Sequence, residues 1–388
     1  AEGKKMSKSR GNIVEPFTTM KKYGADTVRF YLPYVSPVWT PLKFNEEGLK
    51  EVYSKFFNPL RNTYNFFAMY ATTDNIDIEK CNVPYKEREE IDLWLISKYH
   101  NLLKYVTESF EEYDLFKVVR AITNFVSEDL SNWYIRRNRN RFWGSELNNS
   151  KKSVYITTYE ILVGLAKMTA PIIPFLSEEL YQNLTEEESV HLASYPEYDE
   201  TLIDNNLEEK MDTVRELISI GRNVREEVKI KVREPLSECL LDGRLATLIG
   251  NLKDLILELN VKDVVFVDDL SKYMNYQVKP NFKTSGPIFG ADVKLFANYL
   301  TNISHEELNK INNHEKITIK INEKEYTIDE TYLDIRISAK EGYNAGMGNN
   351  LFVILNTYRS KELILEGVAR EFISKVQNIR KTEDYNEL

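Results

Sequence analysis

Ala170-Pro171-Ile172-Ile173-Pro174-Phe175-Leu176-Ser177-Glu178-Glu179-Leu180-Tyr181 sits inside a long apolar run, residues 151–184. Neither proline can donate to a helical hydrogen-bond ladder, and each clashes with the turn before it. The run therefore reads as a helix, a sharp corner and a second helix restarting near Pro174.

Helical spacing extends upstream of that corner. Phe56, Leu60, Tyr64, Phe67 and Tyr70 recur at three and four, as do Ile91, Leu95, Tyr99, Leu102 and Val106 within residues 87–107. Residues 113–143 read as a third long helix and 151–184 as a fourth. Residues 45–204 are thus expected to form a helical bundle. Before them, Pro33, Pro37 and Pro41 break regular structure and mark a linker.

Downstream the pattern changes. An amphipathic helix over 207–233 ends in the alternating Val228-Lys229-Ile230-Lys231-Val232-Arg233, and Glu234-Pro235 stops it. Val261 to Val267 reads as a buried strand. Lys316-Ile317-Thr318-Ile319-Lys320-Ile321 alternates strictly and Tyr326-Thr327-Ile328 answers it across a polar turn, which predicts a hairpin. Leu351 to Leu355 is a further strand, and a helix runs from Ser360. The expected class is mainly α, followed by an α+β C-terminal domain over 205–388.

The 388 residues carry a net charge of −9, which excludes a protein that coats nucleic acid broadly but not a local basic strip. Cys81 and Cys239 stand far apart. They exclude a disulfide framework and a Cys-x-x-Cys zinc site, and read as cytosolic packing residues. No metal-ligand spacing occurs. No apolar run approaches the roughly 20 residues of a membrane span.

Such a strip is present at Leu130-Ser131-Asn132-Trp133-Tyr134-Ile135-Arg136-Arg137-Asn138-Arg139-Asn140-Arg141-Phe142-Trp143. At 100° per residue, Trp133, Arg136, Arg137, Asn140 and Arg141 fall within roughly 140° of arc. Guanidiniums bind phosphates and stack on bases, an amide reads base edges, and an indole stacks. The alternative is a solvated face, or arginines paired to neighbours such as Glu128 and Asp129. Arg222, Arg225, Lys229, Lys231 and Arg233 form a second basic strip, either facing RNA or paired with Glu226 and Glu227.

At the other end stands Lys4-Lys5-Met6-Ser7-Lys8-Ser9-Arg10-Gly11-Asn12. Its core resembles the mobile ATP loop of class I aminoacyl-tRNA synthetases. Gly24-Ala25-Asp26-Thr27-Val28-Arg29-Phe30 is similar to the short helix after that loop. Asn132-Trp133-Tyr134-Ile135-Arg136-Arg137-Asn138-Arg139 resembles the isoleucyl-tRNA synthetases. So do Gly221-Arg222-Asn223-Val224-Arg225, Ile230 to Leu236, Glu366 to Phe372 and Gln377 to Lys381, in the eukaryotic and archaeal branch that some bacteria share.

The resemblance implies a C-terminal fragment: residues 1–44 as the loop and tail of a catalytic domain, 45–204 as the anticodon-binding domain, then the C-terminal domain. It implies ATP with Mg2+ and isoleucine as substrates of the whole enzyme, tRNA(Ile) as partner, and no zinc in this span. Lys5, Met6, Ser7, Lys8 and Ser9 would hold ATP. Lys8, seconded by Lys5, would offset charge developing on the α-phosphate. No His-x-Gly-His run exists; His100, His191, His305 and His314 stand alone. The fragment alone is therefore expected to be inactive. A valyl- or leucyl-tRNA synthetase, or a non-catalytic tRNA-binding module, are the alternatives.

Overall fold

The computed structural model describes residues 6–382 apart from 8, 10, 145 and 313. The chain divides into two compact units, Ala1–Glu208 and Glu209–Leu388.

Among the described residues of the first unit, all regular secondary structure is helical. In order they form α1 (Pro16–Tyr23), α2 (Ala25–Val35), α3 (Glu46–Val52), a π-helical turn at Tyr53–Phe57, α4 (Asn58–Thr73), α5 (Glu90–Glu111), α6 (Leu115–Asn124), a second π segment at Phe125–Ile135, α7 (Arg136–Trp143), α8 (Asn149–Thr169) and α9 (Pro174–Leu184). The proline corner separates α8 from α9. Backbone N–H groups of Ile172 and Ile173 both donate to the Thr169 carbonyl at 2.9 Å. The Thr169 and Ser177 hydroxyls meet across the bend at 2.9 Å.

In this unit two expectations change. Pro33 does not begin the linker: it is buried inside α2, where it forfeits one ladder bond but fills the core beside Tyr34 and Phe30. The helix expected over 113–143 is interrupted by eleven π-helical residues. Phe125, Leu130 and Ile135 recur every five residues and all are buried. An α-helix would swing such a stripe out of the core, whereas the wider π turns keep it facing inward.

The second unit opens with most of α10 (Asn205–Glu227). Its strands are β1 (Leu236–Asp242), β2 (Val261–Val267), β3 (Met274–Pro280), β4 (Ile317–Ile321), β5 (Lys324–Ile328), β6 (Leu333–Ala339), β7 (Tyr343–Gly348) and β8 (Leu351–Asn356). Four make a mixed sheet in the order β2-β1-β8-β7, with β1 parallel to β2 and antiparallel to β8. The pairs β3-β6 and β4-β5 stand as separate two-stranded sheets. The β4-β5 hairpin turns at Asn322 and Glu323, both at positive φ, as two-residue hairpin loops require. The strand expected at Val261 to Val267 forms, but as β2 lies at the sheet edge it is only partly buried: Val261 and Val264 are buried, while Lys262 and Asp263 are exposed. A small core of its own, including Phe289, Phe296, Leu300, Ile311, Ile319 and Ile328, holds β4-β5 to the neighbouring helices. A helix at Lys361–Thr382 follows β8.

Candidate nucleic-acid interface

Lys5 and Lys8, the expected catalytic cations, lie outside the described residues. Of the rest of that loop, Met6 is exposed. The backbone N–H of Ser7 donates to Asn12 Oδ1 at 2.9 Å, and the Ser7 and Ser9 hydroxyls stand 3.2 Å apart. Gly11 adopts φ 62°, a left-handed turn conformation that glycine takes at little steric cost.

Nearby residues tie this end of the unit to the corner. Asp26 Oδ2 accepts from the Leu176 N–H at 2.7 Å, at the start of α9. Arg29 donates through Nε to the Ile172 carbonyl and through Nη2 to the Pro171 carbonyl. Burial raises the Asp26 carboxyl above its ordinary range against the pull of these amides.

The five residues assigned to RNA from the sequence do not share one face. Trp133, within the π segment, is only 5% exposed and lies 5.2 Å beneath the Arg137 guanidinium. The Arg141 side chain is 13% exposed. Arg137 is half-buried, while Arg136 and Asn140 are exposed. The separation follows from the π turns: a wheel drawn at constant pitch from Trp133 loses register before α7 begins.

Within α7 the register is regular, and it selects a different set. Arg136, Arg139, Asn140 and Trp143 stand at i, i+3, i+4 and i+7, within about 100° of arc. All four are exposed, Trp143 by 53%. Its indole lies 6.4 Å from the Tyr70 ring of α4. Arg139 and Trp143 were missed from sequence, though the i, i+3, i+4, i+7 spacing counted from Arg136 would have found them. Two guanidiniums, an amide and an accessible indole form a surface suited to phosphates and unpaired bases.

The opposite face of α7 belongs to the bundle. Phe142 is buried between Phe66 and Tyr155, each 5.0 Å away edge-on. Arg141 forks onto Asp92 of α5, Nη1 to Oδ1 at 2.7 Å and Nη2 to Oδ2 at 2.8 Å. Its other donors go to Asn138 Oδ1, Ser150 Oγ and the Ser150 carbonyl. Asp92, fully buried, also accepts from Tyr134 Oη and Ser153 Oγ, each at 2.6 Å. Burial pulls the Arg141 pKa down, but the hydrogen bonds and charge of Asp92 outweigh it and hold the guanidinium above its ordinary value. Burial, with the Asp92 charge, pushes the Tyr134 phenol far up. Lys151, 3% exposed, pairs with Asp74 at 2.6 Å and donates to the Gly144 carbonyl just beyond α7. A guanidinium has five N–H donors, and those of Arg141 are all used internally.

The second basic strip is split: Lys229, Lys231 and Arg233 are exposed, whereas Arg222 is half-buried and Arg225 buried. Arg225 is 1% exposed and donates to the carbonyls of Lys231, Glu234 and Asn260. Arg222 pairs with Glu258, and Lys231 with Glu371. Among the described residues, no group of three or more His, Cys, Asp or Glu side chains could hold a metal ion. Nor is any described helix long and apolar enough to cross a membrane.

Residues 92–240 match the family model of the anticodon-binding domain of tRNA ligase. Residues 1–45 match that of class I tRNA synthetases (I, L, M and V). The isoleucine–tRNA ligase of Bacteroides thetaiotaomicron is 39% identical over 99% of this chain and 34% of its own length. That of Porphyromonas gingivalis is 38% identical over 99% and 34%, and that of Clostridium tetani 38% over 99% and 37%. The chain thus spans about a third of the length of these curated relatives. A solved ternary complex, Agrobacterium radiobacter K84 agnB2 LeuRS-tRNA-LeuAMS, overlaps 52% of this chain and 23% of its own at 19% identity and TM-score 0.39, too slight an overlap to bear on the fold.

Proposed function

We propose that this chain, similar to isoleucine–tRNA ligases along nearly all of its length, is the C-terminal, tRNA-binding part of such an enzyme. The whole protein would join ATP and isoleucine into isoleucyl-adenylate and pyrophosphate, then pass the acyl group to the terminal ribose of tRNA(Ile). In this reading residues 1–44 end the catalytic domain, 45–204 bind the anticodon region and 205–388 form the C-terminal domain. The setting would be cytoplasmic.

The observation that carries the reading is the exposed quartet of Arg136, Arg139, Asn140 and Trp143 inside the segment that matches an anticodon-binding domain. Arginine forks would take backbone phosphates, and Asn140 and Trp143 would meet splayed bases. At the other end, Met6, Ser7 and Ser9 would pack on and hydrogen-bond ATP, with Lys8 and Lys5 supplying charge. Mg2+ would be held mainly by the triphosphate and water, as that ion commonly is.

The test is binding of a tRNA(Ile) transcript to the 388-residue chain across a salt series. Arg139→Ala should weaken binding and flatten the salt slope by about one. Trp143→Ala should weaken binding with the slope kept. Unchanged affinity in both would refute the interface. A tRNA(Val) or tRNA(Leu) transcript bound as well as tRNA(Ile) would favour the sister enzymes. The chain alone should form no isoleucyl-tRNA, whereas the intact parent should; a parent that charges no tRNA would leave a non-catalytic binding module.

A further inference from the structure

Asp92 stands out among the buried groups because it touches no surface yet collects four hydrogen bonds at the base of the exposed helix. It accepts from both arms of Arg141, from Tyr134 and from Ser153, so α5, the π segment, α7 and α8 converge on one carboxylate. The π segment precedes α7 directly. Its five-residue periodicity therefore does not carry through α7, whose facing is set by contacts with other helices. Arg141 supplies a two-point contact of that kind, to a residue 49 positions earlier.

We infer that Arg141 and Asp92 are positioning residues for RNA: their fork fixes the rotation of α7 and so presents Arg136, Arg139, Asn140 and Trp143 together. This rests on the RNA-binding reading above. In this inference Arg141, expected from sequence to touch RNA, acts instead from behind the residues that do. The fork also gives a negatively charged residue a part in gripping a polyanion. Preorganised donors bind better than ones that must first be oriented, and a two-point fork specifies rotation in a way a single contact does not.

The inference can be tested by sign. Asp92→Asn removes a negative charge beneath the interface, so Coulomb attraction alone would tighten RNA binding. Loss of positioning would weaken it. The measurement is the dissociation constant for a tRNA(Ile) transcript at fixed salt, on the full 388-residue chain, at a temperature where circular dichroism shows each variant folded. Asp92→Asn should bind about tenfold more weakly. The double variant Asp92→Asn/Arg141→Gln, which leaves no unmatched buried charge, should recover part of that loss, because coupled residues are non-additive. If Asp92→Asn does not fold, Arg141→Lys serves: it keeps the charge, loses the fork, and should still bind weakly.

Tighter or unchanged binding in folded Asp92→Asn would overturn the inference, as would full affinity in Arg141→Lys. A double variant that binds worse than Asp92→Asn alone would instead make Arg141 an RNA contact and overturn the inference. Should Arg139→Ala and Trp143→Ala also leave binding untouched, the interface reading itself falls; if they weaken it while Asp92→Asn does not, only the positioning role falls.

Discussion

Arg29 of α2 donates its Nε–H to the carbonyl of Ile172 at 2.8 Å, across 143 positions of sequence. The prolines at 171 and 174 interrupt the ladder and strand carbonyls at the bend. Arg29 takes two of them, and Asp26, one turn earlier on the same helix, takes the amide of Leu176 beyond it. The start of α2 and the proline corner are thus one structural device.

Arg29→Ala should lower stability by about 1 kcal/mol, since the freed carbonyls can turn to water. Asp26→Ala should cost about as much by uncapping α9. Both act on one corner, so the double variant should fall short of the sum. Urea denaturation of the four proteins checks this, and strict additivity would show the two contacts to be independent.

Arg225 should be far less tolerant. Its guanidinium is buried on three backbone carbonyls with Nε unpartnered. Desolvation, opposed by the charge of Glu234, pulls its pKa down to about 10. One ammonium cannot reach carbonyls spread from Lys231 to Asn260. Arg225→Lys should therefore destabilise the second unit by roughly 2–4 kcal/mol, read by denaturation, while binding of tRNA(Ile) to folded protein stays as before. A loss of salt slope in this variant would return Arg225 to the RNA-binding strip.

His100 supplies a pH dependence. Its Nδ1 accepts from the backbone N–H of Asp199 at 3.0 Å, which requires the neutral ring. Burial lowers its pKa below 6.5, outweighing the nearby charges of Asp199 and Glu160. Because the folded pKa is depressed, the unfolded chain binds the proton first. The stabilisation is complete above about pH 6.5 and is lost as pH falls through the lowered value. Melting temperature should thus drop on mild acidification by more in the native protein than in His100→Asn, which still offers an acceptor. Parallel melting curves would discount the contribution.

Local spacing was enough to establish the helical bundle, the proline corner, the β4-β5 hairpin and the final helix, because each depends on which residues lie within one or two turns of one another. The basic stretch at 130–143 was visible for the same reason. Which of its arginines face outward was not. The π turns at Phe125–Ile135 shift the register, and the partner that claims Arg141 is Asp92, on another helix. Arg225 repeats the lesson, counted in sequence as a surface cation and found clasping carbonyls inside a fold. A charge pattern tells how many guanidiniums are available; only packing decides which of them are desolvated against distant acceptors and which remain to meet a ligand.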